Sequence, residues 1–444
     1  MSGLRLLACP LSLIIFMQLA LSGTASATER SSASPISPSD YQKIAEQLSD
    51  SLDRRANPKT GLSPSYDGDA SPVGRNGAQI YDTGLRLLAG SRHSMKIIRT
   101  FTADNPAVAS TENPQTKALQ YQPASGIFSW IRIQGFAEPD WWHTWEWSVK
   151  AGENAWLGKG ALHYYRVSGE PAALALAIQR ADFILALQDA DGGIRIGPQG
   201  LAGDYWWRRK STENNESALS FLDELYRVGG EKRFQLAADR LYEWLAGMYD
   251  RQNHLFSRGE VEEAGEWHKD GISNFAADTT NWLPIERILQ DSRFGLDRGE
   301  RLAEIERMME ATVRHAGVAT GDGLAGISYS PHSRKDSVVS LEWTSQYALL
   351  CLRLSAEYRR QGDEAKADAW QRQYDDLVRR LLGYLQQVNG ERVAAHAVYP
   401  DGRLAAGKPM WDDTALTPGA FLSAASHLYI GFAVQGIDPL RGED

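Results

Sequence analysis

The chain reads as an all-α protein: a ring of six helical hairpins, inner and outer helices, with long loops at one face. Three observations lead there. Helix starts of one kind recur near positions 81, 153, 212, 278, 341 and 416, at intervals of roughly 59–75 residues. That spacing exceeds the familiar solenoid repeats of about 20–50 residues and accommodates one helical hairpin plus a sizeable loop. Between the starts two kinds of helix alternate, one apolar nearly all round and one amphipathic. Strand signals are few and short, as in Val393 to Tyr399.

The clearest start is Ser211-Thr212-Glu213-Asn214-Asn215-Glu216. Its hydroxyls can accept from first-turn amides that have no intrahelical partner, and the acid sits at the positive end of the helix dipole. The others are Tyr81-Asp82-Thr83-Gly84, Gly152-Glu153-Asn154-Ala155-Trp156, Ala277-Asp278-Thr279-Thr280-Asn281-Trp282, Ser340-Leu341-Glu342-Trp343-Thr344 and Leu416-Thr417-Pro418-Gly419. In the last, Pro suits a first helical turn.

In chain order, residues 1–27 have the layout of a secretory signal: Arg5, an apolar run from Leu11 to Leu21, and Ala25-Ser26-Ala27 before Thr28. The mature chain is then expected to be exported, periplasmic or secreted, with no stable membrane span. Residues 28–38 are a Ser/Thr/Pro-rich lead-in, and 39–444 form one domain. After cleavage Cys351 is the one cysteine left, which excludes an internal disulfide. It lies in an apolar helix and is expected in the core.

An outer helix is expected from Ser39 to Arg55, broken at Asn57-Pro58, and a loop from Gly61 to Asp69 feeds the first inner helix. The segment Ala103 to Trp142 is long and irregular, and such inserts usually carry function. Helices follow from Glu153 to Val167 and from Ala172 to Gln188. Glu231 to Asp250 and Asp363 to Val388 are amphipathic outer helices, whereas Thr344 to Tyr358 has the all-round apolarity of an inner one.

With 43% hydrophobic and 23% charged residues the composition is that of a soluble globular protein. A net charge of −9 argues against nucleic acid as the main partner. The aromatic load is heavier than a core needs, with 14 Trp and 17 Tyr. Much of it is clustered: Asp140-Trp141-Trp142-His143-Thr144-Trp145-Glu146-Trp147, and Tyr205-Trp206-Trp207-Arg208-Arg209-Lys210 directly before Ser211. One reading is a hydrophobic plug. The favoured one is a platform on which sugar rings stack their C–H faces while their polar edges stay free.

Ser-Thr-Glu-Asn-Asn, Gly-Glu-Asn-Ala-Trp and Leu-Glu-Trp-Thr-Ser-Gln, each opening a helix, resemble the six-hairpin glycosidase superfamily over roughly residues 39–435. The resemblance implies an (α/α)6 barrel in which inner-helix N-termini and their loops line one funnel. It leaves the family open, since that superfamily also includes lyases, epimerases and phosphorylases. First-turn acids would then converge: Asp82, Glu146, Glu153, Glu213, Asp278, Glu342 and the Asp412-Asp413 pair.

Glycosidic hydrolysis needs two carboxyls, one to protonate the leaving oxygen and one to activate water or attack the anomeric carbon. Glu213 and Glu342, two hairpin steps apart, are the expected pair, with Asp82, Glu153 and Asp278 in reserve. Each acid could instead merely cap its helix, a contribution of about 0.3–1 kcal/mol. Neighbouring Asn154, Asn214, Asn215, Asn281, Trp156, Trp282, Trp343 and Trp411 are hydrogen-bonding and stacking types suited to a polyol. They are expected to bind substrate with Trp141, Trp142, His143, Trp145, Glu146, Trp147, Trp206, Trp207 and Arg208.

No metal-ligand spacing, phosphate loop or nucleophile elbow occurs, so neither cofactor nor metal is expected. The expected partner is a carbohydrate oligomer or polymer, with a bacterial exopolysaccharide as one candidate, and a monomer is favoured. A lyase acting on a uronic-acid polymer is the alternative, with Tyr or His taking a proton and Arg208, Arg209 and Lys210 holding the carboxylate. A non-catalytic sugar-binding barrel would keep the aromatic platforms and have no use for the acids.

Overall fold

In a computed structural model of the chain the described residues are 38–68, 76–102, 126–134, 148–200, 204–281, 283–412 and 419–441. Residues Pro38–Asp444 pack as one compact unit. The helices are α1 Pro38–Arg54, α2 Ile80–Leu88, α3 Ser94–Thr100, α4 Ala151–Ser168, α5 Pro171–Ala186, α6 Thr212–Gly229, α7 Lys232–Gly247, α8 Leu283–Glu286, α9 Arg298–Ala316, α10 Pro331–Lys335, α11 Leu341–Gln361, α12 Glu364–Gly383 and α13 Ala424–Gln435.

The inner ring runs α2, α4, α6, a broken fourth member, α11 and α13, and α13 packs back on α2. Helices α4, α6 and α11 each turn into an outer helix, α5, α7 and α12. Glycine makes that turn at Gly169, Gly230 and Gly362, with φ of 71°, 71° and 79°, because the left-handed conformation costs it nothing. An acid follows each glycine. Glu170 and Asp363 cap α5 and α12 through their side chains. The first outer helix in sequence, α1, packs on the last inner helix, α13, and strand Tyr66–Asp67 pairs with Leu422–Ser423. The ring is thus closed by the two ends of the compact unit.

A repeated side-chain bridge sets each inner helix against the loop that feeds it. Asn154 donates to the carbonyl of its helix cap, Lys150 (2.8 Å), accepts the Ile127 amide (2.9 Å) and donates to the Ile127 carbonyl (3.0 Å). Asn215 repeats this with Ser211 (2.7 Å) and Ile194 (2.7 and 2.9 Å). Thr344 does so with Ser340 (2.5 Å) and the Ile327 amide (2.9 Å). At the matching place in α13, His427 stands against the Ser423 carbonyl (2.9 Å) and the Ala394 amide (3.4 Å). These groups are buried, so the bridges satisfy polar atoms that water cannot reach.

Helices α2 and α4 cross closely because both carry glycine at the contact. A Cβ on Gly84 would lie 2.3 Å from the Trp156 carbonyl oxygen, and one on Gly160 would lie 2.5 Å from that of Gly84. Buried ion pairs also tie helices together: Arg86 of α2 to Asp53 of the outer helix α1 (2.7 Å), and Lys159 of α4 to Glu224 of α6 (2.5 Å). Cys351 is buried in α11, as expected.

Helix expectations are corrected at several places. The fourth start does not open a long inner helix: Ala277–Thr279 is a 3-10 turn, and α8 spans four residues beyond it. Asn281 caps that short helix, accepting the Leu283 amide (3.3 Å), and Arg287 donates to the Leu283 carbonyl (2.9 Å) before the chain turns into further 3-10 turns. The Thr279-Thr280 pair resists continuous helix here, being β-branched. The sixth start, expected at 416–419, falls on residues of which 416–418 lie outside the described residues. Helix α13 opens at Ala424, with Ser423 as the cap accepting the Ser426 amide (3.3 Å), because Leu422–Ser423 is held extended by its pairing with Tyr66–Asp67. The 386–388 end of the last outer helix is likewise a strand, paired with Glu391–Val393. Among the described residues no helix is long and apolar enough to cross a membrane.

Replacing Asn215 with Ala leaves the Ile194 amide and carbonyl and the Ser211 carbonyl without their side-chain partner. Urea unfolding is expected to show a loss on the order of 3 kcal/mol. A loss under ~1 kcal/mol would mean that the bridge is not what seats the helix.

Candidate active site

The N-terminal turns of the inner helices surround a cavity of about 490 Å³. Glu153 of α4, Glu213 of α6, Asp278 of the 3-10 turn and Glu342 of α11 all line it, together with Tyr81, Trp156, Tyr329, Trp343, Gln346, His396 and Trp411. Helices α6 and α11 each offer a first-turn acid and the residue one turn further on to the same space. Glu213 is therefore joined by Ser217, and Glu342 by Gln346. Leu440, beyond α13, also lines the cavity, its carbonyl accepting the Ser220 hydroxyl.

Glu342 is buried, and the Tyr81 hydroxyl donates to its Oε1 at 2.5 Å. Removal from water pushes its carboxyl up to about 7; the Tyr81 hydrogen bond opposes this and the nearby Asp82 adds to it. Glu213 is also raised to about 7, first by burial and then by the negative charge of Glu153, while Ser217 and Asn214 oppose the shift. Asn214 donates to Glu213 Oε2 (2.6 Å) and accepts the Gly152 amide (2.9 Å), so it fixes the carboxyl to the first turn of α4. Asp278 is raised well above the usual range by burial and by Glu213 and Glu342, and its Oδ1 has no hydrogen-bond partner among the described residues. Three buried acids, with Glu213 and Glu342 raising Asp278 and Glu342 raising Glu213, are not all charged near neutrality.

Aromatic rings line the wall in two groups, one around Trp156 and one around Tyr329. Tyr81 meets Trp156 edge-on at 5.3 Å, Tyr329 meets Trp343 at 5.0 Å, and Trp343 meets Trp411 at 5.8 Å. His396 packs on Tyr66 (5.2 Å) and Tyr329 (5.6 Å), and burial lowers its ring to about 4, so it is neutral at pH 7. Among the described residues it is the one histidine lining the cavity.

Solved structures share this architecture. A cellobiose 2-epimerase from Bacillus thermoamylovorans B4167 is 13% identical, with TM-score 0.61 over 89% of this chain and 98% of that one. A D-mannose isomerase is 10% identical, with TM-score 0.60 over 90% and 97%. An inactive variant of the α-1,6-mannanase GH76A of Salegentibacter sp. HEL1_6, in complex with α-1,6-mannotriose, is 11% identical, with TM-score 0.51 over 90% and 100%. The chain has the six-hairpin, (α/α)6 fold. At these identities the likeness is one of fold. No protein-family model matches the sequence, and no curated protein matches it.

Within the toroid the predicted residues separate into groups. Glu213, Glu342, Glu153, Asp278, Asn214, Asn281, Trp156, Trp206, Trp343 and Trp411 line the cavity. Asp82 does not. It is buried beside Arg86, one position along the first turn from Tyr81, and the 100° step per residue takes it off the cavity face. Burial raises it to about 7 as well. Asn154 and Asn215 are spent on the backbone bridges and line nothing. Trp207 stacks under Arg195 (4.1 Å), and Arg208 is exposed; Arg209 and Lys210 line the cavity in their place. Exposed Asp412 does not line it either. Trp141, Trp142, His143, Trp145, Glu146, Trp147, Trp282 and Asp413 lie outside the described residues.

Sequence reasoning missed Tyr81, Tyr329, His396, Gln346 and Arg258. Gln346 carried a usable signal, one helical turn after Glu342. Tyr329 and His396 sit in loops near strands Gly323–Ile327 and Ala397–Val398, and only the pairing of these strands with Val339–Ser340 brings them to α11.

Stability should follow these acids. Both Glu213 and Glu342 keep their proton to about 7 in the folded chain, against an ordinary value of 4.5. The stability they contribute is full below about 4.5 and is lost as the pH rises through about 7. Glu213→Gln keeps the shape without the titration. In urea unfolding it is expected to outlast the parent at pH 8, with the gap narrowing towards pH 5. An equal gap at both values would refute the assignment.

Proposed function

We propose that the protein is a glycoside hydrolase that cleaves an oligo- or polysaccharide, with Glu213 and Glu342 as the working carboxyls. The observation that carries this reading is the meeting of three buried carboxyls, each held above its usual range, in one aromatic-lined cavity. With Glu213 and Glu342 both titrating near 7, the form holding one proton between them is well populated at neutral pH. That form supplies a proton for the leaving oxygen and a carboxylate for water or the anomeric carbon. Asp278 stands as the third acid, its proton held by burial and by the charges of Glu213 and Glu342. The indoles offer faces for sugar C–H groups. The mannanase neighbour, solved with a bound trisaccharide, supports a saccharide as the ligand of this fold.

Epimerase neighbours favour a second reading, isomerisation of a free sugar. In an epimerase of this fold two functional histidines are expected, whereas the described part of the cavity offers His396 alone. The signal-like layout of residues 1–27 supports an exported site of action as part of the same proposal.

The test is product release from a panel of polysaccharides and oligosaccharides at several pH values. New reducing ends are expected with the parent, falling above about pH 7 as the acid loses its proton, and Glu213→Gln and Glu342→Gln should each lower the rate by about 10²–10⁴-fold. An ultraviolet-absorbing unsaturated product would make it a lyase; an isomerised sugar without new ends would make it an epimerase. Binding without any product, unchanged in both variants, would leave a carbohydrate-binding barrel.

Tyr81→Phe gives a finer check. It removes the donor that holds Glu342 down, so the limb of the pH profile governed by Glu342 should move to higher pH while the fold, read by circular dichroism, is unchanged. An unmoved profile would take Tyr81 out of the site.

A further inference from the structure

Four cationic side chains line the cavity: Lys150, Arg209, Lys210 and Arg258. Three of them face carboxylates. Lys150 reaches Glu153 (3.1 Å), Lys210 reaches Asp191 (2.6 Å) and Glu260 (3.2 Å), and Arg258 reaches Asp270 (3.3 Å). Arg209 differs. Among the described residues it makes no ion pair; its Nη1 donates to the Tyr205 carbonyl (3.2 Å), and its guanidinium lies over the Tyr205 ring at 3.7 Å. The stack occupies a face of the group and leaves N–H edges for a ligand. Arg209 is also held in place: strand Arg209–Ser211 pairs with Gly259–Glu263, with Arg209 opposite Val261, and leads straight into the cap of α6.

The position of this cation matters as much as its lack of a carboxylate. Tyr205 is 48% exposed, so Arg209 marks the mouth, while Glu213, Asp278 and Glu342 hold the interior. An anion deep among those acids would be repelled, whereas one at Tyr205 would meet a planar fork with no internal carboxylate to displace.

Resting on the saccharide-cleaving reading above, we propose that the substrate is an acidic saccharide whose anionic group, a sugar carboxylate, is bound by Arg209 at the cavity mouth, while the uncharged part of the chain lies among Glu213, Asp278 and Glu342. A fork that binds a carboxylate can also bind a sulfate ester, so the test includes both.

Binding is measured by titration calorimetry on the full chain carrying Glu342→Gln, so that turnover does not enter. The probes are uronate-containing oligosaccharides, the same oligosaccharides after carboxyl reduction, and sulfated neutral ones. Reduction is expected to weaken binding by about 10–100-fold. Adding Arg209→Gln should shrink that difference to about two-fold, and Arg209→Lys should keep part of it, since a point charge lacks the fork. Sulfated probes that bind best, with the gain lost in Arg209→Gln, would support the anion site and assign it to sulfate. Acidic and reduced probes that bind alike, no binding of any acidic probe, or a preference that survives Arg209→Gln with circular dichroism unchanged would overturn the proposal. Because the readout is affinity, failure of the hydrolase reading would show separately, as acidic probes that bind and are not cut by the parent.

Discussion

The structure depends on one recurring interaction: a side chain four residues after a helix cap that bonds both to the cap's carbonyl and to the backbone of the loop feeding that helix. Asn154, Asn215 and Thr344 make it, and His427 stands in the same place. An inner helix of a toroid is walled by its neighbours, so sliding along its own axis changes apolar burial little. A directional bond to a specific amide resists that slide. The bridges thus set the height of each helix start, and the height of the starts decides whether first-turn acids meet in one plane.

Meeting there is costly for the acids. Glu213, Asp278 and Glu342 are held out of water and near each other, and burial, the first cause of each shift, makes the charged form unfavourable. The surroundings compensate only in part: Tyr81 serves Glu342, Asn214 and Ser217 serve Glu213, and Asp278 Oδ1 is served by no described residue. By contrast, the buried acids that hold helices together are each matched to a cation, as Asp53 is to Arg86 and Glu224 to Lys159. Asp53 and Glu224 thus carry their own counter-charge, whereas Glu213, Asp278 and Glu342 make no ion pair among the described residues; Glu153, which also lines the cavity, is paired with Lys150.

Much of this was readable before the structure, and the failures have a common physical origin. The ring of hairpins followed from helix starts at long, regular intervals, and Glu213 and Glu342 were singled out because they open such helices. The asparagines beside them were read as sugar ligands, since a polar residue next to a first-turn acid looks the same in sequence whether it serves a ligand or a backbone. Asn214 keeps a place in the cavity, while Asn215, the next residue, is spent on Ile194. Asp82 was misplaced for a similar reason, because adjacent first-turn residues point about 100° apart and pattern alone does not say which of Tyr81 and Asp82 faces the axis.

By itself, then, the sequence determined the period of the repeat, the alternation of inner and outer helices, and which acids lie at helix starts. These are local properties, written in residue spacing and capping chemistry. Tertiary structure alone decided which polar groups are consumed by the scaffold and which face the cavity. It also decided that Tyr81 reaches Glu342 across the ring, that Tyr329 and His396 arrive from distant loops, and that Arg209 rather than Arg208 stands at the mouth. Those outcomes depend on rotation about each helix and on strand register, which are settled by contacts between residues far apart in the chain.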